Sequence, residues 1–177
     1  IIPPHLYPFS KIKLKRNNTS RSFLTKEQIQ DLLNLEFASG SVSEIARDMF
    51  IFSIYAGGLR FGDVLELQYQ HYHADESKIR KIILKTSRLH QFKMGVIALE
   101  ILSKYIKEDA EPNDFIFPII KDKTLYNKNE ESKYKIIESG NSLCNTYLKK
   151  MGKTIKLPFT LSFHLSRHSF ATNALNN

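Results

Sequence analysis

The clearest pattern in the chain is a set of apolar positions at helical spacing behind a polar start signal. Thr25-Lys26-Glu27-Gln28 matches a capping box, and Ile29, Leu32 and Leu33 follow on one face, with Leu35 or Glu36 closing the pattern. A second helix is predicted to start at Ser41 or Ser43, with Glu44 three residues beyond Ser41. Its Ile45, Met49, Phe50, Phe52 and Ile54 are apolar nearly all round, which predicts a buried helix ended by Gly57-Gly58. A short helix over 61–68 then begins at Arg60. Segments 79–85 and 92–98 are rich in β-branched residues and predict an antiparallel hairpin around 86–91, although no Asn-Gly turn signal lies there. Helix returns over 99–108 (Leu99, Leu102, Ile106) and over 132–150, on either side of a polar, charged loop at 121–131. The last helix begins near Ser162. No internal repeat interrupts the scheme. The expected fold class is mainly α with a small antiparallel β-hairpin or sheet (α+β).

Residues 1–22 stand apart. Pro3, Pro4 and Pro8 oppose helix and 17–22 is polar, so the segment reads as an extended basic linker to a preceding domain. The remainder, 23–177, is read as one domain, which at this length can bury a core. No apolar run approaches the roughly 18 residues of a membrane span, and Ile1-Ile2-Pro3-Pro4 is unlike a signal peptide. Cys144 is the single cysteine, which excludes an internal disulfide framework and fits a reducing cytoplasm. It is expected to be a small buried hydrophobe.

Charge adds more than composition does. The net charge is +8, and three blocks hold bases without acids. The first, 1–26, carries Lys11, Lys13, Lys15, Arg16, Arg21 and Lys26; the second, 77–99, carries Lys78, Arg80, Lys81, Lys85, Arg88 and Lys93. Beyond Glu138 there are only Lys149, Lys150, Lys153, Lys156 and Arg167. Segregation of this kind is the footprint of a face that binds a polyanion. Lys11, Lys13, Lys15, Arg16, Arg88 and Lys93 are the bases expected to contact a nucleic acid.

Two clusters carry candidate chemistry: Gly57-Gly58-Leu59-Arg60-Phe61-Gly62-Asp63, and the run from Phe163 through His164, Arg167 and His168 to Thr172. Each sets a permanent cation among apolar residues, where charge is costly without an anionic partner. His164 and Arg167 lie three apart and share a helix face. Guanidinium grips phosphate oxygens through two donors, and imidazole moves a proton near neutral pH, so the set suits a phosphate undergoing transfer. The duller alternatives are a buried ion pair of Arg60 with Asp63 or Glu66, and a satisfied helix pair for His164 and Arg167. His164 and His168 also have a metal-ligand spacing, but Leu165 stands where the zincin pattern needs Glu, and Arg167 would repel a cation. His71 and His73 could share a strand face without a third ligand. His168 reads first as a packing residue that could reach phosphate. Phe50, Phe52, Phe163 and Phe170 read as core aromatics.

The two clusters together resemble the catalytic domain of the tyrosine recombinases, the phage integrase family. Gly58-Leu59-Arg60-Phe61-Gly62-Asp63 is similar to that family's Gly-Leu-Arg box, and His164-x-x-Arg167-His168 with Phe170-Ala171-Thr172 to its His-x-x-Arg box. Lys85-Thr86 sits where the family's hairpin lysine belongs, and 8–15 resembles its interdomain linker. The resemblance implies the tyrosine recombinase fold and metal-free transesterification of DNA: a tyrosine attacks the scissile phosphate, forms a 3′-phosphotyrosyl link and releases a 5′-hydroxyl. Under it, Arg60 and Arg167 neutralise the phosphorane, Lys85 protonates the leaving oxygen, His164 serves as acid/base or hydrogen-bond donor, and Asp63 buttresses the Arg60 helix. Lys81 and Lys93 flank the same hairpin and compete with Lys85 for its role.

No tyrosine of the chain follows His164, so no nucleophile is assigned, and the chain is expected to be a truncated catalytic domain that binds DNA without cleaving it alone. No cofactor and no metal are implied. The implied partner is double-stranded DNA, in a tetrameric synaptic complex for the full-length protein, with no membrane and a cytoplasmic, nucleoid-associated location. Two other readings stay open: a basic module that binds nucleic acid without chemistry, and a metal-dependent phosphodiesterase. The shortage of paired carboxylates beside the boxes argues against the second.

Overall fold

The computed structural model describes residues 22–83 and 85–175. Lys11, Lys13, Lys15, Arg16 and nearly all of the expected linker lie outside the described residues. The elements run α1 (Lys26–Leu33), α2 (Val42–Tyr55), α3 (Phe61–Leu65), β1 (Tyr72–His73), β2 (Lys78–Ile82), β3 (Leu89–Lys93), α4 (Val96–Ser103), α5 (Lys123–Tyr126), α6 (Glu130–Thr154) and α7 (Leu165–Leu175), with a 3-10 turn at Tyr69–His71. The fold is mainly helical with one three-stranded antiparallel sheet in the order β1-β2-β3.

The caps act as their sequences predict. Gln28 N–H donates to Thr25 Oγ1 at 3.3 Å and Thr25 N–H donates to Gln28 Oε1 at 3.0 Å, so α1 starts with two of its otherwise orphaned donors satisfied. Ser41 caps α2 by accepting from Glu44 N–H at 3.2 Å. From Ile45 to Ile54 every residue of α2 is buried, and α1, α3, α4, α6 and α7 all pack on it. Its buried polar residues are paired: Arg47 Nε donates to Asp48 at 2.9 Å, and Asp48 also accepts from Lys104 Nζ and Tyr105 OH, each at 3.0 Å. Burial and the neighbouring Asp48 carboxylate push the Tyr105 hydroxyl far up. Phe163 stands edge-on to Phe50 (5.9 Å) and to Phe61 (5.1 Å), so one aromatic contact locks α2, α3 and the approach to α7 together.

Several expected boundaries move, each for a local reason. Helix α3 stops at Leu65 rather than at 68, because Leu67 C=O accepts from Ile116 N–H at 2.8 Å and Gln68 bridges to Phe115. The hairpin pairs Lys78 with Lys93 and Ile82 with Leu89, so its second strand begins at 89 rather than 92. Val96 and Ile97 belong to the first turn of α4, which starts after Gly95; their β-branched shapes mimic strand in the sequence. Helix α5 forms inside the stretch 121–131 expected to be loop, because Asp122 accepts from Leu125 N–H at 2.9 Å. The last helix begins at Leu165. Phe170 is not a core aromatic but 37% exposed, covering Gly58 from the outside. Cys144 is buried as expected, which pushes its thiol up to about 12.

The end of β2 inverts the usual facing of two residues. Lys81 is buried at 6% exposure while Ile82 lies 63% open. Lys81 Nζ donates to Glu66 C=O at 3.2 Å and lies 3.9 Å from the Glu66 carboxylate. Lys133 of α6 approaches that carboxylate at 3.2 Å, and the Tyr126 hydroxyl donates to it. One buried carboxylate thus ties α3, β2, α5 and α6.

His71 Nδ1 accepts from Gln68 N–H at 3.0 Å. Burial first, then the charges of Lys81 and His73, lower His71 from 6.5 to about 4. The unfolded chain binds this proton below 6.5 and the folded chain only near 4, so stability present above 6.5 is lost as pH falls through that window. His71→Asn keeps an acceptor but cannot titrate. Denaturant unfolding followed from about pH 7 to about pH 4 is expected to show the variant losing about 2 kcal/mol less than wild type, after discount for partial exposure.

Candidate active site

Helix α2 ends at Tyr55 and the chain reverses through Gly57 (φ +76°) and Gly58 (φ +67°). At Gly58 a Cβ would stand 2.8 Å from Phe170 Cδ1, so glycine is required both by backbone angle and by the close approach of α7. This reversal delivers Arg60 to the N-terminus of α3. From the other box, Arg167 Nη1 donates to Gly58 C=O at 2.6 Å, a direct bond between segments 109 residues apart.

A buried hydroxyl pair reinforces the junction. Ser53 and Ser166 are both 0% exposed, with their Oγ atoms 2.8 Å apart. Ser53 Oγ also lies 2.7 Å from Leu59 C=O, and Ser166 Oγ 2.7 Å from Phe163 C=O. The residues just before Arg60 and just before His164 are therefore linked through two side chains. Ser169 Oγ accepts from Leu24 N–H at 2.9 Å, pinning α7 to the segment before α1.

Arg60, Lys85, His164, Arg167 and His168 line one open cleft of about 1010 Å³. Burial, then the nearby positive charge of Arg60, pulls Arg167 below the usual guanidinium range, and Asp63 opposes that shift. Two cations that repel across a cleft are stabilised by an anion placed between them. Asp63 itself is buried in the first turn of α3, with charge neighbours that include Arg167, Lys81 and Glu66. Glu66, the other acid weighed as a partner for Arg60, is engaged instead by Lys81 and Lys133.

The three hairpin lysines separate cleanly. Lys81 is buried on Glu66, Lys93 is exposed on β3, and Lys85, exposed in the turn, is the one that lines the cleft. Arg88 is exposed in the same turn and does not line it. His71 and His73 belong to the 3-10 turn and β1, outside the cleft lining.

One wall was missed by sequence reasoning. Tyr134, Glu138, Asn141 and Asn145 of α6 line the cleft, while Gly140, Cys144, Leu148 and Met151 of the same helix are buried. The spacing 134, 138, 141, 145 is a helical stripe, and its polar and aromatic content was the available signal. Asn145 Oδ1 accepts from Phe163 N–H at 2.8 Å, which holds the residue preceding His164. A second hollow, about 700 Å³ and lined by Tyr69, Lys104, Tyr105 and Asp114 among others, contains neither box.

Mainly helical, with a small sheet whose hairpin turn overhangs two converging arginines, this is the tyrosine recombinase catalytic-domain fold. It matches the crystal structure of XerA recombinase with a TM-score of 0.57 and 17% identity over 89% of this chain and 52% of that one. The chain thus spans about half the length of that recombinase. No curated protein sequence matches it. The profile of the phage integrase family matches residues 22–177, and the chain belongs to that family.

Proposed function

We propose that the protein containing this chain performs site-specific recombination of double-stranded DNA by metal-free transesterification through a 3′-phosphotyrosyl intermediate. The observation that supports this reading most is the meeting of Arg60, Lys85, His164 and Arg167, from three separate segments, around one open cleft. Arg60 and Arg167 neutralise the charge that builds on the phosphorane, and the bond to Gly58 C=O holds Arg167 in place before the reaction begins. Lys85 gives its proton to the departing 5′-oxygen, a poor leaving group unassisted. His164 donates to, or exchanges a proton with, the phosphate and its attacking group, and Asp63 buttresses the helix that begins at Arg60. The nucleophilic tyrosine is not assigned within 1–177. The chain by itself is expected to bind duplex without cutting it, and the full-length protein to act as a tetrameric synapse on DNA. Lys11, Lys13, Lys15, Arg16, Arg88 and Lys93 supply backbone contacts along the duplex.

Two measurements test the reading. Duplex affinity of the chain should fall steeply with salt, because each neutralised phosphate releases counterions; a flat response removes the basic clamp. In the full-length protein, Lys85→Ala should slow cleavage of an ordinary duplex by roughly a hundredfold or more. A substrate whose 5′-bridging oxygen is replaced by sulfur departs without a proton, so the variant should cleave it nearly as fast as wild type. An equal deficit on both substrates would remove Lys85 as the acid. The absence of cleavage by wild-type full-length protein would favour a binding module without chemistry.

A further inference from the structure

His164 and His168 stand four residues apart, on either side of Arg167, with their Nε2 atoms 3.0 Å apart. The rings meet edge to face, centroids 4.6 Å apart, at 87°. Both line the cleft. Two imidazole nitrogens at this distance hold one hydrogen between them, so one ring donates and the other accepts. Two cationic rings would point N–H at N–H and break the contact. While the contact persists, the pair carries at most one positive charge.

The shared hydrogen decides what His164 offers to a ligand. When Nε2–H of His164 is given to His168, the ring atom left for a phosphate is Nδ1. In neutral His164 that atom is a lone pair, which repels a phosphate oxygen; in cationic His164 it is an N–H donor. The charged groups around the pair are Arg60 from the start of α3, Lys85 from the hairpin turn, Arg167 from α7 and Glu138 from α6, with Tyr134 also titratable. Three of those are cations, and a phosphodiester placed among them would attract all three together with an N–H of a cationic ring.

We propose that His168 is the positioning partner of His164: its Nε2 accepts the hydrogen of a cationic His164, holds that ring edge-on, and turns Nδ1–H toward the scissile phosphate. This rests on the phosphate-cleft reading above and adds to it a residue that does not touch the substrate. The hydrogen bond between the rings, formed to a charged donor, is among the stronger kinds and fixes the ring so that its other N–H, at Nδ1, faces the phosphate.

The test follows DNA cleavage by full-length protein over roughly pH 5–9, where histidine protonation changes. Wild type, His168→Phe, His168→Gln and Arg167→Ala are compared. Phe keeps a ring but offers no acceptor, whereas the Gln carbonyl accepts in place of Nε2. His168→Phe should move the alkaline limb of the kcat profile about one pH unit lower, with KM unchanged, and His168→Gln should restore it. A merely packing role predicts lower rates in both variants with an unmoved profile, and that result overturns the proposal, as does a His168→Phe profile equal to wild type. Arg167→Ala separates the two levels. If it cleaves normally, the phosphate-cleft reading itself fails; if it is inactive while His168→Phe matches wild type, only the His168 inference falls.

Discussion

Arg167→Ala in the full-length protein should reduce DNA cleavage by roughly a hundred- to a thousandfold, the usual cost of removing one preorganised donor from a developing anion. Duplex affinity should fall far less, because phosphate contacts are spread over many bases and one cation among them is a small share. The geometry sharpens the expectation. Arg167 is a half-buried fork whose Nη1 is committed to Gly58 C=O, so its position relative to Arg60 is set before any ligand arrives. Alanine therefore removes the charge and also the bond that ties α7 to the loop before α3. Arg167→Lys keeps a charge but not the fork, and should recover little, since a single ammonium cannot hold Gly58 C=O and a phosphate oxygen together. Single-turnover cleavage measured beside gel-shift affinity separates the two effects. Parallel losses in both would mean that Arg167 serves binding alone.

Glu66→Ala should destabilise the fold by about 3–5 kcal/mol, the cost of leaving a buried charge without its partner. Burial raises Glu66 and lowers Lys81, each toward its neutral form, so desolvation opposes this pair despite its attraction. Such a pair adds little net stability when whole, yet breaking it leaves Lys81, at 6% exposure, with the Glu66 carbonyl and the nearby Asp63 charge in place of its closest carboxylate. Replacing both members, Glu66→Leu with Lys81→Met, should recover most of the loss. Chemical denaturation of the chain and both variants measures this directly. A Glu66→Ala cost below about 1 kcal/mol would show that water reaches Lys81 in the folded state. Because Glu66 also holds Lys133 and Tyr126, the single variant should loosen the wall of the cleft that α6 provides.

Much of the fold was legible along the chain. Thr25 and Ser41 announced their helices because a cap is a contact between residues three apart, and the apolar run of α2 announced burial. The hairpin was legible in kind but not in register. Its pairing places Lys81 inward and Ile82 outward, against the ordinary preference of both, and a carboxylate fifteen residues away in sequence makes that arrangement stable. Strand β1, two residues long, and helix α5, four residues long, lie below what periodicity can detect. At the site, Arg60, Lys85, His164 and Arg167 were all named from their boxes, and all four line the cleft. The α6 stripe and the Ser53–Ser166 pair were not, since neither contains a motif.

The order of amino acids alone determined which groups are present, where most helices begin, and that the bases cluster into blocks without acids. These depend on neighbours within a few residues, whose spacing the backbone sets. Only the tertiary structure decided that Lys85 rather than Lys81 or Lys93 reaches the cleft, and that Arg167 binds the carbonyl of Gly58. Those facts depend on distances of a few ångströms between segments as far as 109 residues apart, and packing around α2 is what sets them.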